Sequence, residues 1–207
     1  VETFIYKNSS GGTVLDFRAG ASTDDAVALG ILGTGEPYIY VNGSYRITSS
    51  SAIPNNQWVH LAYSRNGTTG TLFVDGTSVG TWTDSTDYGV AKPLIIGAVY
   101  TGTAGFINGY LDELRISKGV ARYTTNFVPT LSAFSSDSDT KLLLHFDNDD
   151  DSSITIIDDT VNSQDIRFPS SCARPPADAA RLPRLPTPSC SRAARTPASS
   201  SPTAPAT

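Results

Sequence analysis

The chain has 207 residues, a formal charge of −5, 39% hydrophobic and 17% charged residues, and no methionine. That is enough apolar material for one sandwich-sized core, and no run of about 18 apolar residues exists to cross a membrane. Residues 1–168 hold 10 Lys and Arg against 19 Asp and Glu, whereas residues 169–207 hold 5 Arg against 1 Asp. An acidic body repels phosphate backbones, which argues against a nucleic-acid partner.

In chain order, strand-length runs alternate with turn signals and no helical period outlasts one turn. The opening VETFIYK (1–7) is apolar on both faces, as a central strand should be, and it reads as the middle of a domain, without a secretory leader's basic, apolar and small-residue succession. Further strands are expected at 13–18, 26–32, 38–41, 45–48, 58–64, 72–74, 79–83, 93–98 and 110–117. Asn42-Gly43, Asn66-Gly67 and Asp75-Gly76 mark tight hairpin turns between them. Alternation over 58–64 puts Trp58, His60 and Ala62 on one face and Val59, Leu61 and Tyr63 on the other. The stretch 118–123 is expected to form a single helical turn before Pro129 closes the unit. After a linker at 132–140, KLLLHF (141–146) reads as a strand, followed by an acidic turn at 147–151 and another strand at 154–157. Beyond Phe168 the composition changes to Ala, Arg, Pro, Ser and Thr without aromatics, and nine of the 13 prolines lie there. Such a tail buries too little apolar area to offset chain entropy and is expected to be disordered or extended. Both cysteines, Cys172 and Cys190, belong to it, so the body owes nothing to disulfides. The pattern as a whole predicts an all-β, antiparallel sandwich over residues 1–131, a strand-forming segment at 141–168 and the tail at 169–207.

The segments QWVHLAYSRNG, LFVDGTSVG, LIIGAVY and FINGYLDELRISKGVARYT together resemble the laminin-G-like family of the concanavalin A-like lectin/glucanase fold, of the type found in phage structural proteins and large secreted bacterial proteins. The resemblance covers roughly residues 1–130. It implies a two-sheet jelly roll that binds carbohydrate or protein surfaces, in a virion-associated or secreted multi-repeat protein. Family members usually carry β segments before the one matching VETFIYK, and TKLLLHFDNDDDSSITIIDD looks like the opening of a next repeat. Because an unpaired sheet edge is costly, the 141–146 strand is expected to fold back beside the 110–117 strand and take the vacant place.

Chemistry-bearing motifs are few. Gly76–Gly80 fits G-x-S-x-G, but it follows a hairpin turn and enters a strand, whereas a nucleophile elbow needs a strand–turn–helix. The glucanase branch carries E-x-D-x-x-E on one strand. The nearest match here, Leu111–Arg115 (LDELR), has Asp112 and Glu113 at adjacent positions, which strict alternation sends to opposite faces. Arg115 is expected to pair with Glu113, and His60 and His145 read as packed, hydrogen-bonded residues rather than bases. Within residues 1–168 Asp outnumbers Glu 16 to 3. This suits turn-rich structure and, as a second reading, calcium. Asp84 and Asp87 are the candidate metal pair, the 147–151 turn lacks the glycine of a calcium loop, and the resemblance brings a rim calcium without fixing its ligands. Trp82, Tyr88 and Tyr100 fall at strand ends or in loops, where an aromatic face can stack on a sugar ring, and are the candidate carbohydrate contacts. The sequons at Asn8, Asn42 and Asn66 matter only in a glycosylating host. The expected function is non-enzymatic binding of a glycan. The rivals are a purely architectural protein–protein module and a glucanase-like hydrolase.

Overall fold

The computed structural model describes residues 1–20, 25–88 and 93–146, together with the backbone of Ile166–Arg167. The 147–151 turn, the 154–157 strand, both cysteines and the 169–207 tail lie outside the described residues. The strands are β1 (Glu2–Lys7), β2 (Gly12–Asp16), β3 (Ala28–Ile31), β4 (Pro37–Val41), β5 (Ser44–Thr48) and β6 (Trp58–Asn66). They continue with β7 (Thr69–Val74), β8 (Thr77–Thr83), β9 (Leu94–Ile96), β10 (Gly109–Ser117), β11 (Thr140–Leu144) and β12 (Ile166–Arg167). Each strand expected between residues 1 and 146 is present, with boundaries moved by a few residues.

Two six-stranded sheets form, in the orders β11-β10-β1-β6-β7-β8 and β12-β9-β2-β3-β4-β5. All pairings are antiparallel except β12 with β9. Asn42 with Gly43, and Asp75 with Gly76, all have positive φ, as the two-residue hairpin turns that join β4–β5 and β7–β8 require. Between the sheets lie Ile5, Leu61, Leu72 and Leu114 from the first and Leu15, Leu29, Ile39 and Ile96 from the second, each almost wholly buried. Burying side chains of this size stabilises by roughly 1.5–3 kcal/mol apiece.

The parity read from β6 holds: Val59, Leu61 and Tyr63 enter this core, while His60 turns outward and Trp58 packs on a second cluster. That second cluster covers the outer face of the first sheet and contains Phe4, Phe134 and Leu143. It is roofed by the chain between β10 and β11, where Tyr123 and Phe127 stack at 3.6 Å and meet Phe73 edge-on.

The helical turn expected at 118–123 does not form, and the segment is bent and extended. Gly119 has φ +96, outside any helix, and Arg122 is held by Ser117 Oγ and by Asp137 Oδ1 at 2.7 Å. Side-chain anchors at both ends therefore override a short helical preference. After the strap, β11 pairs antiparallel with β10, Leu114 facing Leu144 and Ile116 facing Leu142. The 141–146 strand thus lies beside the 110–117 strand, and its Leu142 and Leu144 complete the main core.

Candidate functional site

One end of the sandwich is organised around a single carboxylate. Asp84 follows β8 directly and has no exposed surface. Its amide donates to Thr68 O at 2.7 Å, which ties it to the β6–β7 hairpin. Its Oδ2 accepts from the hydroxyls of Tyr63 and Tyr88, both at 2.9 Å. Its Oδ1 accepts from the Thr86 amide at 3.1 Å and lies 3.4 Å from the Arg65 guanidinium. Trp82 extends the network by donating Nε1–H to Tyr63 Oη at 3.0 Å.

The sequence places these groups by strand parity. Tyr63 and Arg65 are two apart on β6, and Trp82 sits opposite Gly70 on β7. A Cβ at Gly70 would come within 2.3 Å of Tyr63 Oη and 2.9 Å of Trp82 Nε1, so the hydrogen bond between them needs that glycine. Burial first, then Asp84, pushes the Tyr63 hydroxyl well above the usual tyrosine range. Burial and the Asp84 hydrogen bond do the same to Tyr88. Arg65 lies 5.1 Å over the Tyr88 ring and donates to Thr86 O at 2.7 Å, which clamps the 84–88 loop.

Beside this network a cleft of about 690 Å³ opens between the sheet ends. Tyr88, Asp87 and Arg65 form one wall, Phe17 and Val27, which flank β2 and β3, another, and Tyr123 of the segment between β10 and β11 a third. Ser64 also lines it, and its buried Oγ has no protein partner.

Of the three aromatic candidates, the structure brings Trp82 and Tyr88 into this one network. Each has an arginine over its ring, Arg46 at 5.2 Å for Trp82, and each packs partly on the main core. Tyr100 lies elsewhere. Its amide donates to Asp16 Oδ2 at 2.9 Å, and its ring stands 4.8 Å from the Arg18 guanidinium. Arg18 is 4.9 Å from the Tyr40 ring as well, and Tyr45 meets Tyr40 and Tyr38 edge-on at 5.2 and 4.9 Å. This tyrosine row on the outer side of the second sheet was missed in the sequence. Its signal is Tyr38 and Tyr40 two apart, then Tyr45 across the Asn42-Gly43 turn.

The candidate metal pair does not fit calcium. Both Asp84 oxygens already face hydroxyl, amide and guanidinium donors, which a cation would have to displace. Asp87 is exposed on the cleft wall, and among the described residues no group of three His, Cys, Asp or Glu side chains converges.

Two expectations for the LDELR segment are corrected. Pairing jumps from Phe4 opposite Asp112 to Glu2 opposite Arg115, and Glu113 has φ +52. This bulge breaks the alternation, so Asp112, Glu113 and Arg115 all come to the outer side of the sheet, and Asp112 and Glu113 do not point to opposite faces as expected. Arg115 therefore pairs with Glu2, at 2.7 and 2.9 Å, and not with Glu113. Glu113 instead accepts from the Phe134 amide at 2.8 Å and from His145 Nδ1 at 2.9 Å. Glu2 also accepts from Tyr123 at 2.6 Å and lies 3.2 Å from His60 Nε2. The G-x-S-x-G serine, Ser78, lies within β8, and its amide donates to Asn126 Oδ1 at 2.9 Å.

Among solved structures the fold is similar to that of a protein of Bacteroides ovatus ATCC 8483 described as a "putative carbohydrate binding protein", at TM-score 0.52 and 16% identity. The alignment covers 72% of this chain and 45% of that one. A native heptameric SAP-like pentraxin of Limulus polyphemus aligns at TM-score 0.39 and 18% identity, over 55% of this chain and 60% of that one. The chain thus spans less than two thirds of the length of either protein. No curated protein matches it significantly in sequence. Residues 1–125 match the Laminin_G_3 family, described as the concanavalin A-like lectin/glucanases superfamily. The twelve strands, their two-layer order and that match make this chain a member of the laminin-G-like family within the concanavalin A-like lectin/glucanase superfamily.

Proposed function

We propose that this chain is a non-catalytic carbohydrate-binding module that takes a glycan in the cleft at the end of the sandwich. The observation that carries this reading is the cleft wall itself. Tyr88 and Asp87 stand on a loop frozen by the Asp84 network, so little rotamer freedom is lost when a ligand binds. Tyr88 offers an aromatic face and Asp87 and Arg65 offer hydrogen-bonding groups, the mixture a sugar ring needs. Trp82 acts from behind, by orienting Tyr63. Superfamily membership and the Bacteroides fold relative support the ligand class.

A non-catalytic role is supported by the two buried glutamates. Glu2 lines the cleft, but its oxygens are engaged by Arg115, Tyr123 and His60, and Glu113 is engaged by His145 and the Phe134 amide, whereas a hydrolase acid or nucleophile needs a carboxyl free to reach the substrate. The resemblance to phage and secreted bacterial proteins further supports a virion-borne or secreted setting with several copies, where weak single sites gain by multivalency.

A glycan array tests the reading. Wild-type protein is expected to retain at least one glycan, with Asp87→Ala and Tyr88→Ala each weakening it about tenfold, or ~1.4 kcal/mol. Asp87→Ala removes none of the hydrogen bonds that Asp84 accepts, and an unfolding curve matched to the wild type separates an effect on the cleft from one on the fold. An array without any retained glycan removes the proposal.

A further inference from the structure

We propose that the outer face of the second sheet is a separate carbohydrate surface, which takes a neutral pyranose chain laid across Tyr38, Tyr40 and Tyr45. The register builds it. Thr13, Gly30, Tyr38 and Thr48 form one cross-strand row, and Asp16, Ala28, Tyr40 and Tyr45 the next. In both rows β3 supplies a residue with little or no side chain. A Cβ at Gly30 would sit 2.4 Å from Cζ and Oη of Tyr38, so that ring lies down across β3 and not upright from the sheet. Tyr45 stands at 87° to Tyr38 and 79° to Tyr40, with 57% of its own surface exposed. The result is an aromatic floor with an upright ring beside it, fixed before any ligand arrives.

The chemistry of the row selects its occupant. Its rings are all tyrosines, each pairing an apolar face for sugar C–H groups with a hydroxyl for sugar O–H groups. Its arginine is already neutralised: Arg18 meets both Asp16 oxygens at 2.5–3.1 Å and lies 4.9 and 4.8 Å from the rings of Tyr40 and Tyr100. A face with no net charge to offer matches an uncharged polymer, and an extended row of rings matches a chain better than a single sugar. The proposal rests on the carbohydrate reading above for its ligand class but not for its site.

Affinity electrophoresis of the full chain tests it, with gels containing barley β-glucan, xylan, galactomannan or dextran, and polygalacturonate as the charged comparison. Retardation is expected in at least one neutral gel, weakened tenfold or more by Tyr45→Ala and left unchanged by Asp87→Ala. Tyr45→Phe should retain most of the retardation, because the stacking face survives. Thr48→Arg, exposed beside Tyr38, should obstruct the face without removing a ring, and it answers the question if Tyr45→Ala folds poorly. Retardation lost in Asp87→Ala but kept in Tyr45→Ala and Thr48→Arg would overturn this inference and leave the cleft reading standing. Retardation by polygalacturonate alone, or by none of the neutral polymers, would overturn it whatever the cleft retains.

Discussion

Asp84 is the residue on which the sandwich end turns. Two tyrosine hydroxyls and a backbone amide donate to a carboxylate with no exposed surface, and Arg65 supplies the compensating charge. Asp84→Asn would exchange one acceptor oxygen for a donor amide facing groups that also donate. Leaving buried donors unmet costs about 2–4 kcal/mol, which urea unfolding should report, and the 84–88 loop should loosen. Glu2 poses the corresponding question in acid. Burial raises its pKa, but hydrogen bonds from His60 and Tyr123 and the Arg115 charge outweigh burial and hold it at about 2, well below the ordinary glutamate value of 4.5. A depressed carboxylate stabilises the fold fully above pH 4.5, and that contribution is lost as pH falls from 4.5 toward 2. It is worth on the order of 3 kcal/mol. Unfolding free energy measured across that window should fall steeply in the wild type and much less in Glu2→Gln. None of this was legible in the sequence, where Glu2 is one acid in an apolar run and its partners lie at positions 60, 115 and 123.

At the scale of elements, alternation and turn residues were readable and irregularities were not. Val59, Leu61 and Tyr63 announce their inward face by period, and Asn42-Gly43 and Asp75-Gly76 announce their hairpins. The β10 bulge had no such sign, because Leu-Asp-Glu-Leu-Arg reads as an ordinary strand and only pairing against β1 shows that Glu113 is the inserted residue. The helical expectation at 118–123 failed similarly, since its competing anchor, Asp137, is remote in sequence. Once displaced, Glu113 becomes a clasp: it holds Phe134 of the strap and His145 at the end of β11. Glu113→Ala should therefore speed amide exchange at Phe134 and along Leu142–Leu144, with exchange in β6 and β7 unchanged. Uniform acceleration across both sheets would instead mean that the residue serves global stability.

For the molecule as a whole, fold and family were within reach of the sequence because both rest on repeated local signals. The surfaces were only half within reach. Trp82 and Tyr88 were singled out for falling at strand ends, and they do share one network. Tyr100 was grouped with them, yet it belongs with Arg18 and Tyr40 on another face. Position along the chain cannot tell which sheet closes over which, and that closure decides the neighbourhood of every loop aromatic.

The β10–β11 ladder carries a practical corollary. The stretch that carries the family pattern ends at residue 125, whereas Leu142 and Leu144, which face Ile116 and Leu114, come from farther along the chain. A fragment excised at that limit lacks the edge strand of the first sheet: the outward hydrogen-bonding groups of β10 stand open, and the apolar side chains of Leu114 and Ile116 are wetted. Copies of such a fragment can satisfy one another only by lending strands, so a boundary drawn from family likeness would turn a self-contained sandwich into a daisy chain.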